Sequence, residues 1–150
     1  MSASRWLSAA LASYLLFSIS GCTQDTGATL SAPDAYAQAQ AGKLTLVDVR
    51  HPDEWHQTGV PKGALRIDMA HPKGEEGFIE QVRSELKGDK QAPVALISLG
   101  GNRAANAQQM LIKAGFTHVY NIKEGMMGSS AGPGWIARGL PVDGARTARE

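Results

Sequence analysis

The sequence predicts an α/β domain with a central parallel sheet and helices on both of its faces. Short apolar runs, Leu44–Val49 (LTLVDV) and Pro93–Ser98 (PVALIS), alternate with longer segments of helical character, the pattern of strand–helix units. Those runs are apolar at nearly consecutive positions, as in strands buried on both faces. Gly42, Gly88 and Gly115 punctuate the segments where helices should end.

Taken in order, Ser31-x-x-Asp34 reads as a helix start with Pro33 in the first turn, continued by Ala35–Ala41 and stopped at Gly42. Leu44–Val49 is the first buried strand, and Ala64–Ile67 reads as a second. Phe78, Ile79, Val82 and Leu86 recur at helical spacing before Gly88. Pro93–Ser98 is the clearest strand and runs through Leu99-Gly100-Gly101-Asn102-Arg103 into a helix over Ala104–Ala114, closed by Gly115. His118–Ile122 is a last short strand. Parallel strands of this kind connect by right-handed crossovers, and ligands sit at their carboxyl ends, which points to Ser98–Arg103.

The totals narrow the function classes. Hydrophobic residues make up 43% of the 150 and charged residues 19%, so the chain folds rather than staying disordered. It carries 15 Lys and Arg against 14 Asp and Glu; residues 1–21 hold only Arg5, leaving 14 of each sign beyond them. Without a basic excess or basic run, nucleic acid is not an expected partner. One cysteine, Cys22, excludes an intramolecular disulfide, a CxxC redox pair and a thiolate zinc site. His51, His56, His71 and His118 have no metal-ligand spacing and read as surface or loop residues; no metal and no cofactor is expected.

Residues 1–21 read as a signal peptide. Arg5 precedes Trp6–Ile19, fourteen residues without a charge, too short for a span that needs about 20. Ile19-Ser20-Gly21-Cys22 resembles the bacterial lipoprotein signal, which implies a diacylglycerol thioether on Cys22, cleavage before it and an acylated new N-terminus. Several acyl chains anchor stably, since each buried CH₂ contributes roughly 0.8 kcal/mol. A free thiol at Cys22 is the alternative. Thr23, where an aspartate would retain a lipoprotein at the inner membrane, implies the outer membrane. Residues 22–30 then read as a flexible tether, 31–143 as the folded domain and 144–150 as a tail.

Ser98-Leu99-Gly100-Gly101-Asn102-Arg103 is the segment expected to carry chemistry. Two glycines between a buried strand and a helix start let successive amides turn inward, where the positive end of the helix adds to them. The product is a cradle for an anion of thiosulfate or phosphate size, with Arg103 as a further planar donor. Composition alone is equally consistent with a glycine-rich turn that binds nothing.

Leu46-Val47-Asp48-Val49-Arg50, Glu54-Trp55, Gly59, Gly63-Ala64, Ala95–Arg103, Val119-Tyr120-Asn121-Ile122 and Gly139-Leu140-Pro141-Val142 together resemble the rhodanese-like domain family over residues 31–143. The resemblance implies a rhodanese-like parallel sheet flanked by helices and a loop cysteine that carries sulfur as a persulfide. Ser98 stands at that cysteine's position. A hydroxyl ionises far less readily than a thiol and holds no transferable sulfane sulfur. No histidine lies near Ser98 in sequence to act as its base.

Two further departures accompany it. Gly59-Val60-Pro61-Lys62-Gly63 lacks the family's histidine after the first glycine, and Gly125–Gly134 (GMMGSSAGPG) is several residues longer than the family's link to its tryptophan, here Trp135. That insertion is flexible by composition and positioned to fold over the Ser98 loop, with Met126 and Met127 read as core residues. Asp48 and Arg50 are expected to support the site structurally, Asp48 through loop amides or Arg103, and Arg50 through Glu54 four positions on.

The expected function is therefore a non-catalytic, exported and lipid-anchored module. Its Ser98 loop would bind a small thiosulfate-, sulfate- or phosphate-like anion or a protein, at the periplasmic face of a membrane. The alternatives are a sulfurtransferase or Ser98-dependent enzyme acting on a small sulfur- or phosphorus-containing anion, and a structural envelope protein whose loop binds nothing.

Overall fold

Thr45–Asp48 and Val94–Ile97 form the centre of the sheet because each places alternate side chains on opposite faces and both faces are covered. The computed structural model describes residues 27–144, so the segment read as a signal peptide, Cys22 and nearly all of the stretch read as a tail lie outside the described residues. Strands β1 (Thr45–Asp48), β3 (Leu65–Arg66), β4 (Val94–Ile97) and β5 (Val119–Asn121) pair in parallel in the order β3-β1-β4-β5. Val47 lies opposite both Leu65 and Leu96, and Leu96 opposite Asn121.

On one face, α3 (Gly74–Glu85) and α4 (Asn102–Lys113) bring Phe78, Val82, Ala107 and Leu111 against Val47, Val94 and Leu96. On the other, α1 (Ala32–Gln40) packs Ala32 and Ala35 with Met126 and Trp135 against Leu46, Ala95 and Ile97. Each large apolar side chain buried in this way contributes about 1.5–3 kcal/mol. Ser31 caps α1, its Oγ accepting from the Asp34 amide. Trp135 meets Tyr36 edge-on at 5.7 Å and donates from Nε1 to the Pro141 carbonyl.

The layered arrangement matches the expectation, and several element bounds differ. The strand read over Ala64–Ile67 pairs only at Leu65–Arg66, and the helix read from Phe78 starts at Gly74. One helix, α2 (Pro52–Thr58, PDEWHQT), has no counterpart in the sequence reading: it buries no residue fully and has no apolar stripe to betray it. Its first turn is set by Pro52 and by Glu54, whose carboxylate accepts from the His51 amide. The antiparallel pair of β2 (Val60–Pro61) and β6 (Val142–Asp143) is also new; two-residue strands joined across some eighty positions leave no periodic signal.

The tether read over 22–30 is too long at its C-terminal end. Ala28–Leu30 lies along β5: the Asn121 amide donates to the Ala28 carbonyl, the Leu30 amide donates to the Asn121 carbonyl, and Gln108 Nε2 donates to Ala28 at 2.7 Å. An edge strand leaves main-chain groups unpaired, and this segment satisfies them.

Candidate functional site

Ser98 directly follows β4, at the carboxyl end of the sheet, and is 1% exposed. Its Oγ accepts from two main-chain amides, Gly101 at 3.1 Å and Ala104 at 3.2 Å. The loop therefore does curl its amides around one point at the start of α4, and the serine oxygen occupies that point. No histidine or carboxylate hydrogen-bonds this oxygen among the described residues. The amides of Leu99, Gly100, Asn102 and Arg103 have no acceptor among the described residues and remain available to a ligand.

Gly101 makes the curl possible. It is left-handed, with φ +91°, and a Cβ there would come within 2.5 Å of the Lys123 carbonyl oxygen. Any larger residue would drive the loop off the segment beneath it.

Arg103 does not extend into the cradle as expected. Its Nη1 and Nη2 donate to the two carboxylate oxygens of Glu54, at 2.6 and 2.5 Å. The Arg103 guanidinium, helped by the His51 amide, holds the Glu54 carboxyl down at about 2 despite its partial burial, and Glu54 in turn raises Arg103 further. Arg50 does not pair with Glu54, and Asp48 binds neither loop amides nor Arg103. Instead Arg50 Nε and Nη2 straddle the Asp48 carboxylate at 2.7–3.1 Å, with both side chains fully buried. The remaining Arg50 donors reach Thr58 Oγ1 and the Gly59 carbonyl, 2.9 and 2.8 Å away. The i,i+4 spacing of Arg50 and Glu54 misleads because Arg50 lies before α2, not on it. Asp48 and Arg50 thus tie the end of β1 to the end of α2 and do not touch the loop's ligand face.

The insertion does lie against the loop. Met126 and Met127 amides donate to the Ser98 and Leu99 carbonyls, at 2.9 and 3.0 Å. Composition suggested flexibility, yet Ser129 and Gly132 close a mutual backbone pair and Ser129 Oγ donates to the Lys123 carbonyl. Met126 is core, as expected; Met127 is not, at 58% exposure. Leu99, Met127 and Ile136 are the exposed large hydrophobics among the described residues. Main-chain hydrogen bonds join their segments, Met127 to Leu99 and Ile136 to Met126. Sequence reasoning missed this cluster because nothing in the spacing of residues 99, 127 and 136 links them.

Residues 31–131 match the family model of the rhodanese-like domain. An uncharacterised protein of Rickettsia conorii is 28% identical over 102 residues, covering 64% of this chain and 80% of that protein. The tRNA uridine(34) hydroxylase of Acinetobacter baumannii is 33% identical over 86 residues, 56% of this chain but only 26% of that enzyme. Among solved structures, the polysulfide-sulfur transferase homodimer of Wolinella succinogenes superimposes with a TM-score of 0.63 at 29% identity, covering 82% of each chain.

Proposed function

Because the chain belongs to the rhodanese-like domain family, we propose that it is a member that has given up sulfur transfer and kept the loop as a binding surface for a small anion or a protein. One observation carries this reading: the buried Ser98 oxygen fills the point on which the loop amides converge, bonded to Gly101 and Ala104 and to no base. In a family of sulfur carriers that point belongs to a thiolate. A serine hydroxyl there satisfies the same amides without the nucleophile, and the single cysteine of the chain lies at position 22, in the lipoprotein-like signal.

The unpaired amides of Gly100, Asn102 and Arg103 favour an anion, and the apolar cluster of Leu99, Met127 and Ile136 beside them favours a protein surface around it. Closure of Arg103 onto Glu54 leaves main-chain amides, not the guanidinium, as the anion's contacts. The charge-free run Trp6–Ile19 and the Ser20-Gly21-Cys22 sequence support the reading of export and lipid attachment at the periplasmic face of a bacterial membrane.

The test is thiosulfate:cyanide sulfurtransferase activity of the full chain, expected to equal the buffer control. Turnover clearly above it would sink the proposal. Intact mass of the exported protein tests the anchor: the expected product begins at acylated Cys22, and an unacylated Cys22 refutes it.

A further inference from the structure

Five of the seven lysines, Lys43, Lys62, Lys87, Lys90 and Lys113, share the end of the main sheet opposite the Ser98 loop. Its four strands are parallel, so the segments that lead into them gather at one end. Lys43 precedes β1, Lys62 precedes β3, Lys87 and Lys90 precede β4, and Lys113 closes α4 ahead of β5. Contacts bear out the grouping: Lys90 Nζ donates to the Ala114 carbonyl just past α4, and Lys62 lines a cavity of about 300 Å³ with Leu44 and Glu85. All five are exposed, and none forms an ion pair among the described residues. The carboxylates described at this end are Glu85, Asp89 and Asp143, so the lysines outnumber them five to three. Asp53, Glu54, Asp68, Glu75 and Glu76 gather instead at the loop end, where Arg50 and Arg103 are closed onto Asp48 and Glu54. A domain nearly neutral in total is thus polarised along its strands.

We propose that the lysine-bearing end rests on anionic lipid headgroups and holds the Ser98 loop away from the bilayer, an orientation that builds on the lipid attachment proposed at Cys22. The tether is short. Main-chain bonds pin Ala28 and Leu30 to Asn121, and Thr29 pairs with Asn121 in parallel, so the chain comes to β5 from the lysine-bearing end. From Cys22 to Gly27 is five residues, a reach of about 17 Å at full extension. That is about two screening lengths at physiological salt, so the domain stays within the field of the surface. Such a reach permits several tilts, and charge selects among them: a negative leaflet attracts the lysines and repels the carboxylates of the other end. Leu99, Met127 and Ile136, the exposed large hydrophobics among the described residues, lie around the loop and remain open to a partner in this orientation.

The test uses the exported, acylated protein in lipid nanodiscs carrying a trace of gadolinium-chelating lipid, with amide NMR signals read for paramagnetic broadening. Discs of about 30% phosphatidylglycerol in phosphatidylcholine are compared with phosphatidylcholine alone. In the anionic discs, broadening is expected to be several-fold greater at Lys43, Gln91 and Lys113 than at Asp53, Glu76 and Gly100. The difference should vanish in phosphatidylcholine discs and at roughly 1 M salt, where screening shortens to about 3 Å. Lys43→Gln, Lys87→Gln and Lys113→Gln together leave two lysines against three carboxylates and should also abolish it. These side chains are exposed and unpaired, so the fold should survive; should it not, salt and the neutral discs decide. Equal broadening at both ends, greater broadening at the loop end, or no response to salt or to the triple variant overturns the orientation while leaving the anchor intact. An unacylated Cys22 in the intact mass removes anchor and orientation together, whereas sulfur transfer by the native chain would overturn the reading of Ser98 and touch neither.

Discussion

Glu54 on α2 and Arg103 on α4, 49 positions apart, close a two-point ion pair that ties a helix invisible in the sequence to the helix behind the Ser98 loop. Both side chains are mostly shielded, at 17% and 27% exposure. Because Glu54 titrates at about 2 rather than 4.5 in the folded chain, the pair stabilises fully above about pH 4.5, and its contribution is lost as pH falls toward 2. Denaturant unfolding stepped through that window should show a loss of about 1 kcal/mol from this pair, discounted for partial solvent screening. Glu54→Gln should flatten that part of the profile.

The same variant frees the Arg103 fork. Anion affinity at the loop is expected to rise several-fold in Glu54→Gln, because a released guanidinium beside the Asn102 and Arg103 amides adds a charge-assisted donor. Titration with thiosulfate measures it, and an unchanged affinity would mean that Arg103 cannot reach the loop's ligand.

Ser98→Cys places sulfur where two amides and a helix start converge. Its thiol should ionise well below the ordinary value of about 8.5. The thiolate would attack the outer sulfur of thiosulfate, releasing sulfite and leaving a persulfide on the cysteine. Intact mass should show the added sulfur atom; a folded variant that gains none would mean that the loop no longer admits the donor. Ser98→Ala leaves the Gly101 and Ala104 amides without their acceptor, and should lower unfolding free energy by about 1–3 kcal/mol.

Asp48→Asn removes the counter-charge of a fully buried guanidinium. A loss of about 3–5 kcal/mol in urea unfolding is expected, on the scale of a broken buried pair. Arg50→Lys should also destabilise, since an ammonium cannot serve Asp48, Thr58 and the Gly59 carbonyl together.

Gly101→Ala should be far more damaging than Gly42→Ala, although both glycines are left-handed. At Gly42 no atom lies within 4 Å of the added methyl, so the backbone penalty of about 1–2 kcal/mol stands alone. At Gly101 the methyl also strikes the Lys123 carbonyl. Comparing the melting temperatures of the two variants separates conformational strain from collision.

How much was legible in the sequence depended on whether a signal was local. Val47, Leu96 and their neighbours announce buried strands because both faces of a covered sheet exclude water, so burial is written as unbroken apolarity. The loop from Ser98 to Arg103 could be placed for the same reason, at the carboxyl end of the clearest strand. The polar α2 and the two-residue strands β2 and β6 were not legible, being too short to show a period.

Local pattern alone determined the layered fold, the position of the loop and the absence of a thiol from it. Tertiary structure alone decided the pairings: Arg103 with Glu54, Arg50 with Asp48, and the Asn121 main chain with Ala28 and Leu30. Burial of apolar side chains is non-directional and leaves a periodic trace along the chain. A hydrogen-bonded ion pair depends on distance and angle between groups that only the folded backbone brings together.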